Sequence, residues 1–226
     1  MIKYPDIDPI AISIPLPEFL HTFLGEALNI YWYGIAYVLG AYLIYLRMVA
    51  TRDIFKINLS KDDVSDVVFT YGLFLGAIVG GRLGHVIFYD FHLQLQDPLY
   101  FLKIWQGGMS FHGGLIGVMA SMWVFSRNKG YTFFQITDWV APQVPIALCL
   151  GRIANFINAE LYGRATEVPW GMIFPSDPLG LVRHPSQIYE ALLEGVLLFI
   201  FLNFFIKSTN KPCLLYTSPS PRDLRA

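Results

Sequence analysis

The sequence predicts an all-α fold: a polytopic integral membrane bundle of about five spanning helices, with irregular Gly-rich segments lining a polar cavity that faces outward. Three observations predict it. Hydrophobic residues make up 54% of the 226 and aromatic residues 16%, more than a soluble core of that size uses, and mean hydropathy is +0.47. Five stretches approach the roughly 20 apolar residues that one crossing needs: 28–46, 64–89, 111–126, 135–158 and 186–206. The polar residues in and beside these stretches gather at one end of each. The length suits about one domain.

Taken in order, residues 1–27 carry Asp6, Asp8, Glu18 and Glu26 against Lys3. They lack the basic start and short apolar centre of a cleaved signal peptide, so this segment is expected to stay on the mature protein. The loop at 47–61 holds Arg47, Arg52, Lys56 and Lys61, the loop at 127–134 holds Arg127 and Lys129, and Lys207 and Lys211 follow the last stretch. The alternate loops hold Lys3, Lys103, Arg164 and Arg183. Eight basic residues against four place the amino terminus outside by the positive-inside rule. Residues 211–226, KPCLLYTSPSPRDLRA, show no periodic pattern and read as a disordered tail.

Net charge of −1 and a pI near 6.5 give no basic face for nucleic acid. Cys149 and Cys213 form neither a disulfide framework nor a metal pair.

With those directions, Tyr33 lies near the outer end of the first stretch and Arg82 and His85 near that of the second. His112 opens the third. Arg152, Asn155, Asn158 and Glu160 close the fourth, and His184, Ser186, Gln187 and Glu190 open the fifth. Ionisable groups within a bilayer are costly and mark a functional cavity by default, so these residues are expected to line one outer recess. The spacing of Gly76, Gly80 and Gly84, and of Gly113 and Gly117, suits close helix packing with no chemistry attached. The short likeness of GRLGH at 81–85 to GRIAN at 151–155 is too brief to establish a repeat.

Each residue type has a chemical reading beside a structural one. The planar forks of Arg82 and Arg152 match phosphate oxygens, or they pair with Glu160 and Glu190, or snorkel to the interface. In WQGGMSFHGGLIG at 105–117, glycine pairs flank Ser110 and His112. Glycine permits positive φ and close approach to a ligand, and histidine exchanges a proton near neutral pH; the structural reading is a satisfied donor at a helix entrance. Asn155 and Asn158 can bind ester or glycerol oxygens, or satisfy backbone freed at a helix end. Glu160 can orient an arginine or act as an acid or base, orienting being the reading preferred. In RHPSQIYEALLEG, Pro185 and Ser186 suit a helix start, with Glu190 a turn later. His184 stands at the rim.

GRIANFINAELYGR at 151–164 matches the signature Gly-Arg-x-(Gly or Ala)-Asn-Phe-x-Asn-x-Glu-x-x-Gly at every fixed position, and YWYG, GGRLGHVIFYD, DPLYFLKIWQGGMSFHGGLIG and RHPSQIYEALLEG follow the same family's order. Over about 1–210 the chain thus resembles the prolipoprotein diacylglyceryl transferases of the bacterial inner membrane. The resemblance implies transfer of diacylglyceryl from phosphatidylglycerol to the lipobox cysteine of a prolipoprotein signal peptide, with no metal or soluble cofactor and the active site toward the periplasm. It implies functional positions at Tyr33, His112, Arg152, Asn155, Glu160 and Gly163; Arg82, Ser110, Asn158 and His184 are expected, from their own chemistry and placement, as further lipid contacts. His112 is the expected base for the thiol and Arg152 the stabiliser of the departing phosphate. The family's further carboxy-terminal helices and its Tyr-Gly-x-x-Arg block are not matched here, so 211–226 reads as non-native sequence and the chain as truncated. A small transporter, or a scaffold binding anionic lipid, is the alternative, distinguished by polar groups at the midplane rather than at one side.

Overall fold

The computed structural model describes residues 2–5, 7–17, 19, 21, 26–103 and 107–209, the last three through their backbone. The tail expected at 211–226, together with Asp6, Glu18 and Trp105, lies outside the described residues. The chain divides into two compact units, Met1–Ile44 with Pro142–Ser208, and Tyr45–Ala141 with Thr209–Ala226.

Five long helices stand where five apolar stretches are predicted: α1 (Trp32–Thr51), α2 (Lys61–Phe88), α4 (Phe111–Asn128), α5 (Phe133–Ile157) and α6 (Ser186–Ile206), with a short α3 (Phe91–Gln96) after α2. All but α4 are long and apolar enough to cross a membrane. Helix α4 has 18 residues, about 27 Å at 1.5 Å per residue, and its apolar character is diluted by His112, Ser121, Ser126 and Arg127.

Local chemistry sets the helix starts. Ser60 and Asp63 form a reciprocal capping box at α2, and Thr132 and Gln135 form another at α5, each satisfying two backbone donors that a helix start leaves free. Ser110 caps α4, its Oγ accepting from Gly113 N at 3.2 Å. Proline lacks the N–H that an α-turn requires, and α5 accommodates Pro142 by tightening into a 3₁₀ turn over Ala141–Gln143. Helix α2 widens to π geometry over Asp66–Gly80, as α6 does over Ala191–Leu197.

In the unit spanning Tyr45–Ala141, α2 packs on α4 through glycine. A Cβ on Gly84 would fall 2.5 Å from Gly113 Cα, and one on Gly117 would fall 2.5 Å from Gly76 O. No larger residue fits this crossing.

The unit formed by Met1–Ile44 and Pro142–Ser208 also holds two small antiparallel pairs that hydropathy does not announce. Strand β1 (Ile10–Pro15) pairs with β2 (Ala27–Tyr31), with Ile12 opposite Ile30 and a bulge between Ile10 and Ile12. Strand β3 (Met172–Ile173) pairs with β4 (Val182–Arg183), extended by a bridge from Ala165 to Arg183. A short apolar run suits strand and helix equally, so the expected first span at 28–46 becomes β2 followed by α1.

Candidate functional site

The polar end of α5 is built by a turn that folds back on the helix. The α-helix ends at Ile157, and Ala159 and Leu161 take left-handed backbone angles, φ 54° and 55°, on either side of Glu160. Non-glycine residues hold such angles at a cost of order 1 kcal/mol, a form of strain found where surroundings fix a functional turn. The reversal lets Glu160 N donate to Asn155 O at 3.0 Å and sets its carboxylate against the Asn155 side chain. Asn155 Nδ2 then donates twice, to Glu160 Oε1 at 3.0 Å and to the Tyr33 hydroxyl at 2.5 Å. An amide nitrogen has two protons, so both bonds are satisfied, and Asn155 is only 4% exposed.

Arg152 lies three residues earlier, on the same helix face as Asn155. Its Nε stands 2.6 Å from Glu190 Oε2 on α6; among the described residues it has no further hydrogen-bond partner. The preferred reading of Glu160 as the orienter of an arginine is therefore corrected: Glu190 holds Arg152, because the left-handed turn sends Glu160 back to Asn155. Gln187, on the first turn of α6, donates from Nε2 to Glu160 O at 2.6 Å and is completely buried.

Gly163 N donates to His184 O at 2.9 Å and His184 N to Arg164 O at 3.1 Å. A Cβ on Gly163 would lie 3.0 Å from His184 Cβ, so this approach favours glycine. His184 Nδ1 is 3.1 Å from the Tyr189 hydroxyl, which also accepts from Trp170 Nε1 at 2.7 Å. Behind the loop, Asp177 accepts from Arg183 Nε at 2.8 Å and a terminal Arg183 nitrogen at 3.0 Å, and from Leu179 N and Leu181 N. The Arg183 guanidinium is the main cause that holds the Asp177 carboxyl down to about 2. Arg183 stacks over the Tyr162 ring at 5.3 Å. Tyr4 supports the other side, donating to Phe156 O and Ile157 O and packing with Phe174.

In the unit spanning Tyr45–Ala141, Arg82 is 1% exposed. Its fork is filled by the chain: Nε donates to Phe101 O, one terminal nitrogen to Gly107 O and Gly108 O, and the other to Tyr100 O and Lys103 O, at 2.5 to 3.4 Å. Five N–H groups meet five carbonyls, so a phosphate contact would require one of these bonds to open. The loop is further tied by His85 Nε2, 2.9 Å from Asp90 Oδ2, and by the Tyr100 hydroxyl donating to the same oxygen at 2.7 Å. That tyrosine bond holds the Asp90 carboxyl below its ordinary range. Gly107 and Gly108 have φ of 80° and 83°, as the flanking glycines suggest, whereas Gly113 serves packing. Ser110 is buried as the cap of α4; His112 follows it on the first turn, exposed, with the Phe111 ring edge-on.

The structure thus brings Tyr33, Arg152, Asn155, Glu160, Gly163 and His184 together at one end of α5 and α6, with Asn158 on the connecting turn. Arg82, Ser110 and His112 are placed around the start of α4 in the other unit. The pairing of Arg152 with Glu190 is one of the alternatives the sequence offers, whereas the bond from Gln187 to Glu160 O is not foreseen. The three-residue spacing of Gln187 and Glu190, which puts both on one face of a helix, was the available signal.

This architecture defines a class: a polytopic helical membrane protein with a hydrogen-bonded Tyr-Asn-Glu group and an ion-paired arginine at a helix end. Residues 21–218 match the family model described as Prolipoprotein diacylglyceryl transferase. The chain is 50% identical over 208 residues to the phosphatidylglycerol–prolipoprotein diacylglyceryl transferases of Ectopseudomonas mendocina and Azotobacter vinelandii, covering 91% of this chain and 72% of each relative. It is 47% identical over 208 residues to that of Vibrio parahaemolyticus, covering 91% of this chain and 70% of the relative. The chain belongs to the prolipoprotein diacylglyceryl transferase family.

Proposed function

We propose that this chain transfers the diacylglyceryl group of phosphatidylglycerol to the lipobox cysteine of a prolipoprotein signal peptide, the first step of lipoprotein maturation. The reaction takes place at the periplasmic side of the bacterial inner membrane. The observation that carries the reading is the Tyr33–Asn155–Glu160 group, in which Asn155 and Glu160 stand in the segment matching the family signature and Tyr33 reaches them from α1.

In the reaction the thiol loses its proton, a sulfur–carbon bond forms at the glyceryl carbon, and the carbon–oxygen bond to phosphate breaks with its electron pair leaving on glycerol phosphate. A thiol of pKa about 8.5 is mostly protonated at neutral pH, so the first event needs a base; His112 is assigned this role. Charge on the leaving phosphate grows as the bond opens, and Arg152 stabilises it. A preorganised donor aimed at developing charge is worth roughly 10² to 10³ in rate. Glu190 orients that guanidinium, whose remaining N–H groups have no partner among the described residues and serve the phosphate. Asn155 holds Tyr33 and Glu160 in register.

The test is incubation of the protein with phosphatidylglycerol and a lipobox peptide, with peptide mass as the readout. Gain of one diacylglyceryl group is expected; an unmodified peptide with lipid bound would favour a lipid-binding scaffold. His112→Gln is expected to abolish transfer while phosphatidylglycerol binding stays near normal. Loss of binding in that variant would make His112 a lipid ligand instead of the base.

A further inference from the structure

Gln187 is wholly buried, and its donation to Glu160 O at 2.6 Å fixes which end of the carboxamide is nitrogen. The other end, Oε1, is buried with no hydrogen-bond partner among the described residues, and the same is true of Asn158 Oδ1 on the turn leading to Glu160. Buried polar atoms are nearly always paired in folded proteins, and an unpaired acceptor forfeits its hydration without return. Both are acceptors, and both belong to residues that adjoin Glu160, Gln187 through its hydrogen bond and Asn158 through the chain.

We propose that Gln187 reads the alcohol end of the lipid, its Oε1 accepting a hydrogen bond from a headgroup hydroxyl, with Asn158 Oδ1 accepting from the second. This rests on the reading of the site as one for phosphatidylglycerol, and it adds a specificity-determining residue to it. The chemistry selects the ligand group. The phosphodiester and acyl-ester oxygens of a phospholipid only accept; the donors of a glycerol headgroup are its two hydroxyls. An ethanolamine headgroup also donates, but its ammonium would carry a charge into buried surroundings, where an ion is stable only with a matched partner. A site that hydrogen-bonds a hydroxyl through buried groups rejects the analogue lacking it, because those groups are then left unpaired.

The experiment compares phosphatidylglycerol with phosphatidylpropanol, which keeps the phosphodiester and acyl chains and has no hydroxyl. Binding is measured by native mass spectrometry of the protein in bilayer discs, and transfer by peptide mass. The wild-type protein is expected to favour phosphatidylglycerol by about tenfold or more, the scale of one buried unpaired acceptor. Gln187→Met is expected to bring the two lipids within about threefold, chiefly by weakening phosphatidylglycerol. Loss of the bond to Glu160 O in that variant affects both lipids alike and cancels in the ratio. If Gln187→Met weakened both lipids by the same factor, or if the wild-type protein held them equally, Gln187 would be a prop for the turn and the proposal would be overturned. Asn158→Ala, which removes the other acceptor, is expected to narrow the same ratio and tests the pair should the first variant fail to fold. Absence of transfer from either lipid by the wild-type protein would defeat the proposed reaction, while the binding ratio would still decide the role of Gln187.

Discussion

Arg82 and Arg152 each follow a glycine on a long apolar helix, yet their surroundings give them different work. Arg82 is sealed by five backbone carbonyls, and Arg152 meets one carboxylate. A guanidinium with every N–H matched organises the loop it binds, whereas one with donors to spare can meet an anion. Leu161 is 61% exposed with φ 55°, so Leu161→Gly removes backbone strain while losing little buried surface. Stability is expected to rise by up to about 1 kcal/mol, read as a higher thermal midpoint in detergent. Ala159→Gly is expected to gain less, because that methyl packs in the cluster with Tyr4 and Phe174. Asp177 supplies a pH dependence. Its carboxyl is lowered from 3.8 to about 2, first by the Arg183 hydrogen bond. A depressed acid contributes stability that is complete above its unfolded value and is lost as pH falls through its folded one. The β3–β4 loop should therefore hold above about pH 4 and loosen between 4 and 2, followed by hydrogen exchange at Leu179 and Leu181. Asp177→Asn is expected to loosen the loop already at pH 7 and to remove that acid step.

At the scale of elements, the crossing of α2 on α4 is set by absent side chains. Gly84→Leu places carbon inside the Gly113 backbone, and overpacking of this kind costs typically 1–3 kcal/mol or more. Gly151 is a helical glycine whose added Cβ would meet nothing within 4 Å, so Gly151→Ala is expected to stabilise by about 0.5–1 kcal/mol. Unfolding in graded denaturant separates the two outcomes, and equal effects would contradict the packing account. The glycine spacing was legible in sequence because a four-residue period on a helix repeats one face. The strands were not, since the six residues at 10–15, apolar but for Ser13, are too short a run to separate strand from helix, and pairing of β1 with β2 depends on residues further along the chain.

For the whole molecule, the distribution of Lys and Arg among the loops predicts sidedness. A single cysteine at Asp53 is expected to resist a membrane-impermeant thiol label in right-side-out vesicles, and one at Glu167 to accept it, after replacement of Cys149 and Cys213. Labelling of both positions from the same face would overturn the assigned topology. Four helices meet the length and composition of a span, and the fifth long helix, α4, carries polar residues at both ends and Ser121 near its middle. Membership of the family, with 91% of this chain aligned to relatives at half identity, places the residue-scale groups in the context of lipoprotein biosynthesis.

The sequence by itself determined that five long helices form, where their polar ends lie, and which signature the α5 terminus carries. Apolar length, helix periodicity and the cost of charge in a bilayer act on neighbouring residues, so a single pass along the chain registers them. Only the tertiary structure decided that Glu190 rather than Glu160 holds Arg152, that Arg82 is enclosed by carbonyls, and that Gln187 is buried with one end of its amide unpaired among the described residues. Those outcomes depend on short-range directional bonds between residues far apart in sequence, and a bond of 3 Å exists only once the backbone has brought donor and acceptor together.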